Sequence, residues 1–258
     1  MGKIIAIANQ KGGVGKTTTS LNLASGLAYL NCKVLLVDFD PQGNASQGIG
    51  AKKNNPKKSA YDMLLGECSV KDVTVKLSQP PMDVVTANIS LSGADLEMSQ
   101  IEEREKLLKN KLDVIKDDYD YIIIDCPPSL GLLNTNALSA ADTVIIPVQC
   151  EYYALEGLTQ LLSTIRLVQR MFNKKLNIEG VLLTMFDART KLSTEVRQEV
   201  RKYFKDRVYS TVIPRNIKLS EAPSCEKSIF DYDVKSEGAR AYANLAREVI
   251  NASLKENK

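Results

Sequence analysis

The amino-acid sequence predicts an α/β fold in which a mostly parallel, twisted sheet is flanked by helices on both faces. Short, continuously apolar runs alternate along the chain with segments of helical periodicity. Such runs are typical of parallel strands that are buried on both faces. The first run, residues 4–8, leads directly into a glycine-rich turn and then into a helical pattern. Since no linker-like stretch interrupts the alternation, we expect one domain that spans residues 1–258.

The alternation assigns most of the chain to strands and helices. The strand pattern occurs at residues 4–8, 33–37, 84–86, 121–125, 143–148, 178–184 and 208–213. The helical pattern occurs at residues 18–29, 60–65, 102–116, 132–141, 154–172, 193–205 and 236–254. Residues 50–58 contain four lysines and are expected to form a solvated loop, with contact to nucleic acid as the alternative.

The segment 11–18 has the composition of a phosphate-binding loop. Glycines at positions 12, 13 and 15 let backbone N–H groups turn toward an anion, and the helix that follows directs its positive dipole end to the same point. Lys16 would then reach the β- and γ-phosphates, and the Thr17 hydroxyl would ligate Mg²⁺. An ordinary glycine turn with two solvated lysines is the alternative, but the preceding apolar strand favours the phosphate site.

Three aspartates lie at or just beyond the ends of apolar strands. They are Asp38, Asp40 and Asp125. Ligands bind beyond the carboxyl ends of parallel strands, so these carboxylates are candidates for the same site. In an extended chain the carboxylates of Asp38 and Asp40 lie on the same side, because only Phe39 separates them. Capping of a turn is the alternative role for each of the three.

Basic side chains are concentrated in the C-terminal quarter, although the net charge of the whole chain is only +3. Residues 186–258 contain 15 basic and 11 acidic side chains. Arg197, Arg201 and Lys205 recur every four residues, so they share one face of a helix. Such a stripe suits contacts to nucleic-acid phosphates without reading of the bases. A solvated helix face is the alternative.

The composition excludes several classes of site. The chain has no histidine, which excludes imidazole acid/base catalysis and histidine metal sites. Its five cysteines form no C-x-x-C pair, which favours reduced thiols of a cytoplasm over disulfides or a zinc site. No apolar run approaches the ~20 residues that span a bilayer.

The motifs together resemble a known family. Residues 11–17 read Lys-Gly-Gly-Val-Gly-Lys-Thr, the signature of the deviant Walker A branch of P-loop proteins, and Gln10 stands where the general P-loop has its first glycine. The chain therefore resembles the ParA/MinD family of ATPases. Residues 125–131, 147–157 and 214–224 look specifically like the chromosomal ParA (Soj-like) partition proteins.

The resemblance implies a Mg²⁺-dependent ATPase that converts ATP and water to ADP and phosphate within a homodimer. It implies that Lys11 reaches the phosphates of the partner subunit, that Lys16 acts within its own chain, and that Asp40 orients the attacking water. Nucleotide contacts are implied for Lys11, Gly12, Gly13, Val14, Gly15, Lys16, Thr17, Thr18, Pro214 and Asn216. A metal site is implied for Thr17, Asp38 and Asp125.

The resemblance also implies the partners. The ATP-bound dimer would bind DNA without sequence preference, a ParB-type centromere-binding protein would stimulate hydrolysis, and the protein would be cytoplasmic and nucleoid-associated. The candidates for DNA contact are Arg189, Arg197, Arg201, Lys205, Arg215, Lys218 and Lys227.

A MinD-like, membrane-associated positioning ATPase is the alternative function. The tail from Ala241 contains no Phe or Trp, so we expect it to pack on the core of the protein and no membrane to be bound. An iron–sulfur protein of the same branch would need a cysteine pair at the dimer axis. Cys126 and Cys150 follow different strands and do not form such a pair.

Overall fold

The computed structural model describes residues 2–54, 57–66, 68–151 and 156–256. The described residues include seven strands. They are β1 (Lys3–Ile7), β2 (Val34–Asp38), β3 (Thr74–Lys76), β4 (Asp83–Val85), β5 (Tyr121–Asp125), β6 (Thr143–Gln149) and β7 (Asn177–Thr184). They form one sheet in the order β3-β4-β2-β5-β1-β6-β7, in which the pairing of β3 with β4 is antiparallel and the others are parallel. The predicted fold class is therefore confirmed.

Twelve α-helices surround the sheet in the described ranges. They are α1 (Lys16–Tyr29), α2 (Asn44–Gly48), α3 (Ala60–Leu65), α4 (Val70–Val73), α5 (Ala94–Met98), α6 (Leu107–Asp113), α7 (Leu132–Ala140), α8 (Glu156–Met171), α9 (Lys191–Phe204), α10 (Ile217–Ser224), α11 (Ile229–Asp233) and α12 (Glu237–Glu256). Short 3-10 turns are found at Ala51–Asn54, Ile89–Gly93, Arg104–Lys106, Lys116–Asp118 and Lys205–Arg207.

The central strands are buried on both faces, as their continuous apolar sequences predict. In β1, Ile4 and Ala6 belong to one hydrophobic core, whereas Ile5 and Ile7 belong to a second core on the opposite face. The first core is completed mainly by helices α3 and α5 to α9, and the second mainly by α1 and α12. The period-two alternation of side chains in a strand explains this division.

Pairing register brings the ends of three strands together. Asp125 at the end of β5 is the register partner of Asp38 in β2 and of Ile7 in β1. The loop that follows β1 therefore begins beside two of the three predicted aspartates. The carboxyl edge of the sheet is the place where a ligand is expected in this architecture.

Helix α12 packs against α1, and this contact fixes the C-terminal part of the chain. Leu245 and Val249 are fully buried in the second core, and the buried Tyr242 hydroxyl lies 3.2 Å from Thr19 Oγ1. The expectation that this tail packs on the core is confirmed. Among the helices described, none is long and apolar enough to span a bilayer.

The prediction of a strand at residues 208–213 is wrong. Tyr209 N–H and Ile213 N–H donate to carbonyls of β7, but the N–H groups of Ser210 and Thr211 donate to the Glu248 carboxylate at 3.0 and 2.8 Å. Because a side chain of α12 takes these donors, the ladder is interrupted and Val208 makes only an isolated bridge to β7.

Other boundaries also differ from the sequence prediction. The helix predicted at 102–116 is shorter, because α6 covers Leu107–Asp113 and 3-10 turns lie on either side. The loop predicted at 50–58 contains a 3-10 turn at its start, and residues 55 and 56 lie outside the described ranges. Residues 154 and 155, predicted as the start of a helix, also lie outside them, and α8 is described from Glu156.

Truncating Leu245 tests the docking of α12. Leu245→Ala removes a fully buried side chain from the contact with α1, so we expect the free energy of unfolding to fall by roughly 2–5 kcal/mol. Leu254→Ala is the matched control, because Leu254 on the same helix is 58% exposed and should change stability by less than about 0.5 kcal/mol. Denaturant unfolding of both variants measures the difference. Equal effects would show that the helix is not held by this face.

Candidate active site

The loop between β1 and α1 has the backbone of a phosphate cradle. Gly13 and Gly15 have φ values of +75° and +85°, a region that side-chain-bearing residues rarely adopt. A Cβ atom placed on Gly12 or Gly13 would meet nothing within 4 Å, so this side of the loop faces open space. Helix α1 begins at Lys16 and directs its N-terminal end at the same space.

Two side chains that the sequence analysis missed hold this loop in place. Asn9 Oδ1 accepts the Lys11 N–H at 3.0 Å, while Asn9 Nδ2 donates to the Pro147 carbonyl at 2.7 Å. Thr184, the last residue of β7, donates from Oγ1 to the Val14 carbonyl at 2.8 Å. The loop is therefore tied to the ends of β6 and β7, and its shape does not depend on the glycines alone.

A cavity of about 650 Å³ opens in front of the loop. Its wall on the loop side contains Gly12, Gly13, Gly15, Lys16, Thr17 and Thr18, all of them predicted nucleotide contacts. The rest of its lining includes Asp40 and residues of two further segments, 92–95 and 127–133. The structure thus brings most of the predicted site residues around one space.

Lys16 is buried beneath the loop and lies close to two of the three aspartates, Asp125 and Asp40. Its Nζ donates to the Lys11 carbonyl at 3.2 Å. Burial lowers the pKa of Lys16, whereas the negative charges of Asp125 and Asp40 oppose that shift. The ammonium is therefore held at the centre of the site, between the loop backbone and the carboxylates.

Asp125 is a fully buried carboxylate with one unsatisfied oxygen. Its Oδ1 accepts the Ser20 hydroxyl at 2.8 Å, whereas Oδ2 has no hydrogen-bond partner among the described residues. Burial, reinforced by the neighbouring carboxylate of Asp38, raises the pKa of Asp125, and the hydroxyls of Ser20 and Thr17 oppose that shift. An unsatisfied carboxyl oxygen close to a threonine hydroxyl fits the hard, oxygen-preferring Mg²⁺ ion.

Asp38 is also fully buried, but hydrogen bonds already occupy both of its oxygens. Oδ2 accepts the backbone N–H and the hydroxyl of Ser46 at 2.7 and 2.6 Å, and Oδ1 accepts the Asp40 N–H at 3.3 Å. Ser46 in turn accepts the Ala87 N–H at 3.0 Å. The carboxylate therefore organises the chain that follows β2. Its predicted part in the metal site stays a prediction.

Asp40 lies on the wall of the cavity with 7% of its surface exposed. Its Oδ1 accepts the Gln42 N–H at 3.0 Å and its carbonyl accepts the Gly43 N–H at 2.8 Å. The turn 40–43 therefore fixes the carboxylate at the edge of the open space. This position suits a group that accepts a hydrogen bond from a water molecule.

Lys11, Pro214 and Asn216 lie away from the centre of the site. The Lys11 side chain is 37% exposed, and its Nζ lies 3.7 Å from Glu151 Oε2. Pro214 pairs with Phe186, and Asn216 caps α10 by accepting the Lys218 N–H at 2.9 Å. Neither Pro214 nor Asn216 lines the cavity described above. Their role in adenine binding stays a prediction.

The predicted DNA-contacting residues lie at the surface, and several of them have acidic partners. Arg189 pairs with Asp187 at 2.7 Å, Arg215 lies 3.9 Å from Glu151, and Lys218 pairs with Glu221 at 3.0 Å. Arg201, Lys205 and Lys227 are exposed.

Arg197 differs from its neighbours on the predicted stripe. It is half-buried, and its guanidinium lies 5.7 Å from the centre of the Phe186 ring. The predicted stripe is therefore partly packed against the protein at this end. Its placement of Lys205 is wrong: α9 ends at Phe204 and Lys205 has a φ of +50°, so helical spacing does not set Lys205 on one face with Arg197 and Arg201.

Comparison with known proteins agrees with this geometry. A family model described as AAA domain matches residues 2–178. The chain is 59% identical over 249 residues to the sporulation initiation inhibitor protein Soj of Bacillus subtilis. The aligned region covers 96% of this chain and 98% of Soj. The chain belongs to the ParA/Soj family of chromosome-partitioning proteins. It is also 50% identical over 251 residues to the chromosome partitioning protein ParA of Caulobacter vibrioides, covering 96% of this chain and 94% of ParA.

Solved structures are similar to this chain over nearly its full length. A Mycobacterium smegmatis protein described as cobyrinic acid a,c-diamide synthase, solved with ADP and magnesium, matches with a TM-score of 0.87 and 36% identity, covering 100% of this chain and 97% of that one. A putative plasmid partition protein of Borrelia burgdorferi, bound to AMPPNP, matches with a TM-score of 0.83 and 27% identity, covering 99% and 100%.

Replacing Asp125 by asparagine should stabilise the protein in magnesium-free buffer. The pKa of this carboxyl is raised in the folded state, so its burial costs free energy once the pH exceeds the pKa of the unfolded chain, about 4. Removing that cost should increase stability by about 1–2 kcal/mol near neutral pH, or roughly 2–8 °C in Tm. The gain should shrink as the pH falls toward about 4, where the carboxyl is increasingly protonated in both states.

Thermal denaturation at both pH values measures this gain. Asp113→Asn is the control, since the Asp113 side chain is 44% exposed and its neutralisation should have little effect on Tm. A lower Tm for Asp125→Asn near neutral pH would contradict the account of Asp125 as an uncompensated charge.

Proposed function

We propose that this chain is a Mg²⁺-dependent partition ATPase, folded as a single domain over residues 1–258, that converts ATP and water to ADP and phosphate. One observation carries the proposal: the phosphate cradle, the buried Lys16 and Asp40 line one cavity of about 650 Å³, and Asp38 and Asp125 lie buried at the ends of the adjacent strands β2 and β5. The neighbours that were solved with ADP or AMPPNP support the nucleotide, and the one solved with magnesium supports the cation.

Each group has a distinct part in this reaction. Backbone N–H groups of residues 12–18 and the Lys16 ammonium bind the phosphates, and Thr17 with Asp125 holds Mg²⁺, which supplies neutralisation of phosphate charge when bound. Asp40 accepts a hydrogen bond from the attacking water and orients it. Asp38 acts with them by fixing the chain that carries Asp40, since its Oδ1 accepts the Asp40 N–H.

We assign Lys11 the role of reaching the phosphates that the partner subunit binds in an ATP-dependent dimer. Its ammonium lies at the rim of the site, partly exposed, and its 3.7 Å pairing with Glu151 is between two solvent-accessible side chains. Exposed pairs of this kind contribute little free energy and are readily exchanged for another anion. A cation supplied across an interface can accelerate phosphoryl transfer by ~10³–10⁵, which would couple turnover to dimerisation.

The dimer is proposed to bind DNA without sequence preference and to release it after hydrolysis stimulated by a ParB-type protein. The exposed cations of α9 and the neighbouring segment support phosphate contacts, and two copies would strengthen a weak patch through effective concentration. We infer a cytoplasmic, nucleoid-associated location. The MinD-like alternative is disfavoured, because the apolar face of α12 is buried against α1.

Nucleotide-dependent sizing tests the catalytic assignments. With ATP and Mg²⁺, the wild-type protein should form a dimer and release phosphate, whereas Lys16→Ala should bind no nucleotide. Asp40→Ala should dimerise with ATP yet release no phosphate, because only the water loses its partner. Light scattering and phosphate release measure the two properties. A protein that stays monomeric with a saturating non-hydrolysable triphosphate would contradict the role of Lys11.

Substitution of the α9 stripe tests the DNA assignment. The double change Arg197→Ala and Arg201→Ala should weaken binding equally for unrelated DNA sequences, and should reduce the salt slope of log K by about 2 per chain at most, because phosphate contacts release counterions. Lys191→Ala is the control, since this exposed lysine on the same helix pairs with Glu195. Loss confined to particular DNA sequences would contradict binding through the backbone alone.

A further inference from the structure

One wall of the cavity is a loop that a single buried side chain ties to the following helix. Residues 126–131 connect β5 to α7, and Pro127, Pro128 and Ser129 line the cavity. Asn134, 1% exposed, donates from Nδ2 to the Pro127 carbonyl at 2.8 Å and also to the Ser129 carbonyl. The position of the loop therefore depends on the position of α7.

The N-terminal end of α7 is held in turn by Asp95 of helix α5. Asp95 Oδ1 accepts the Leu133 N–H, in the first turn of α7, at 3.3 Å. A Cβ atom on Gly131 would lie 2.5 Å from Asp95 Oδ2, so a side chain there would push the carboxylate away. Gly131 has a φ of −75°, which any residue can adopt. Glycine at 131 is therefore explained by the close approach of Asp95 and not by backbone strain.

Further along, α7 is anchored by Asn136. Its Oδ1 accepts the Leu108 N–H at 3.1 Å and its Nδ2 donates to the Arg104 carbonyl at 2.7 Å. The body of the helix is thus fixed independently of Asp95. Asp95 therefore acts on the first turn and the loop before it, together with Asn134 and with Thr135, whose Oγ1 donates to the Gly131 carbonyl at 3.2 Å.

Asp95 itself lines the cavity, where a carboxylate is unfavourable for binding a polyanion. Asp38, Asp40 and Asp125 already supply negative charge at this site. A fourth carboxylate would lower the affinity for a triphosphate, because like charges repel at this distance. The location of Asp95 is better explained by its contacts with Leu133 and Gly131 than by binding of the nucleotide.

We propose that Asp95 is a positioning residue for ATP hydrolysis: through the Leu133 N–H and the contact with Gly131 it holds the loop 126–131 in the geometry that the reacting phosphate requires. This inference rests on the proposed ATPase function. Misplacement of a wall of the site affects the reacting geometry more than ground-state binding, so its loss lowers kcat and not affinity.

Steady-state kinetics of the full chain with Mg²⁺ and ATP tests the proposal. Asp95→Ala should lower kcat about tenfold while KM stays equal or falls, because a hydrogen bond is lost and a repulsive charge is removed. Asp95→Asn keeps an acceptor oxygen and should retain most of the wild-type kcat. Glu97→Ala is the matched control, since this carboxylate on the same helix contacts Tyr61 and not α7. A normal kcat for Asp95→Ala overturns the proposal.

A double-mutant cycle with Gly131 tests the contact itself. Gly131→Ala should lower kcat because its Cβ displaces Asp95, and the same change in the Asp95→Ala background should have less than half that effect on a logarithmic scale. Additive losses would overturn the proposed contact.

Hydrogen exchange separates failure of this inference from failure of the proposed function. In nucleotide-free protein, Asp95→Ala should exchange the amide of Leu133, the hydrogen-bond donor to Asp95, at least threefold faster than the wild type, with no change in β7. Unchanged exchange would overturn the inference even if ATP is hydrolysed. If the wild-type protein has no ATPase activity, the proposed function is wrong, and so is the role of Asp95 in hydrolysis. Faster amide exchange in Asp95→Ala would still establish the structural contact in that case.

Discussion

The pairing of β2 with β5 is the constraint on which the site depends. Its register sets Asp38 beside Asp125 at the ends of two fully buried strands, so two carboxylates share one water-excluded place. Such an arrangement is costly by itself, because burial and mutual repulsion both disfavour ionisation. Donors from Ser46 and Ser20 offset part of the cost, and the buried Lys16 ammonium lies close to Asp125. Because the pKa values of both carboxyls are raised, a cation bound beside them would favour their ionised forms.

Polar side chains that bridge separate segments give this site its shape. Asn9 and Thr184 tie the phosphate loop to neighbouring strand ends, and Asn134 ties the opposite wall to α7. Each of these side chains forms hydrogen bonds with backbone N–H or C=O groups that have no partner within the loop. Segments without regular secondary structure can therefore lie against the buried edge of the sheet. The two walls of the cavity are therefore held by the same kind of contact, and neither relies on apolar packing alone.

Sequence could predict the elements whose signal is local. Strand β5 has the predicted bounds, because its apolar run is continuous and ends at a charge. The strand predicted at 208–213 was wrong because its competitor, Glu248, lies about forty residues away and leaves no local trace. Thr184 could not be found for the same reason, since one threonine at the end of a strand has no distinctive pattern. The glycine turn lies where the sequence predicts it, because the spacing of its glycines is itself the signal. Asp125 ends its strand as predicted, because an apolar run that stops at a charge is also a local signal.

The contact between α12 and α1 has a consequence for how the chain is made. Tyr242 and Thr19 are separated by 223 positions, and β1 pairs with strands that come more than a hundred residues later. During synthesis the phosphate loop leaves the ribosome well before β5 and α12, which support it. Contacts of such long range slow folding. The apolar surfaces of β1 and α1 therefore stay uncovered until α12 has also emerged from the ribosome.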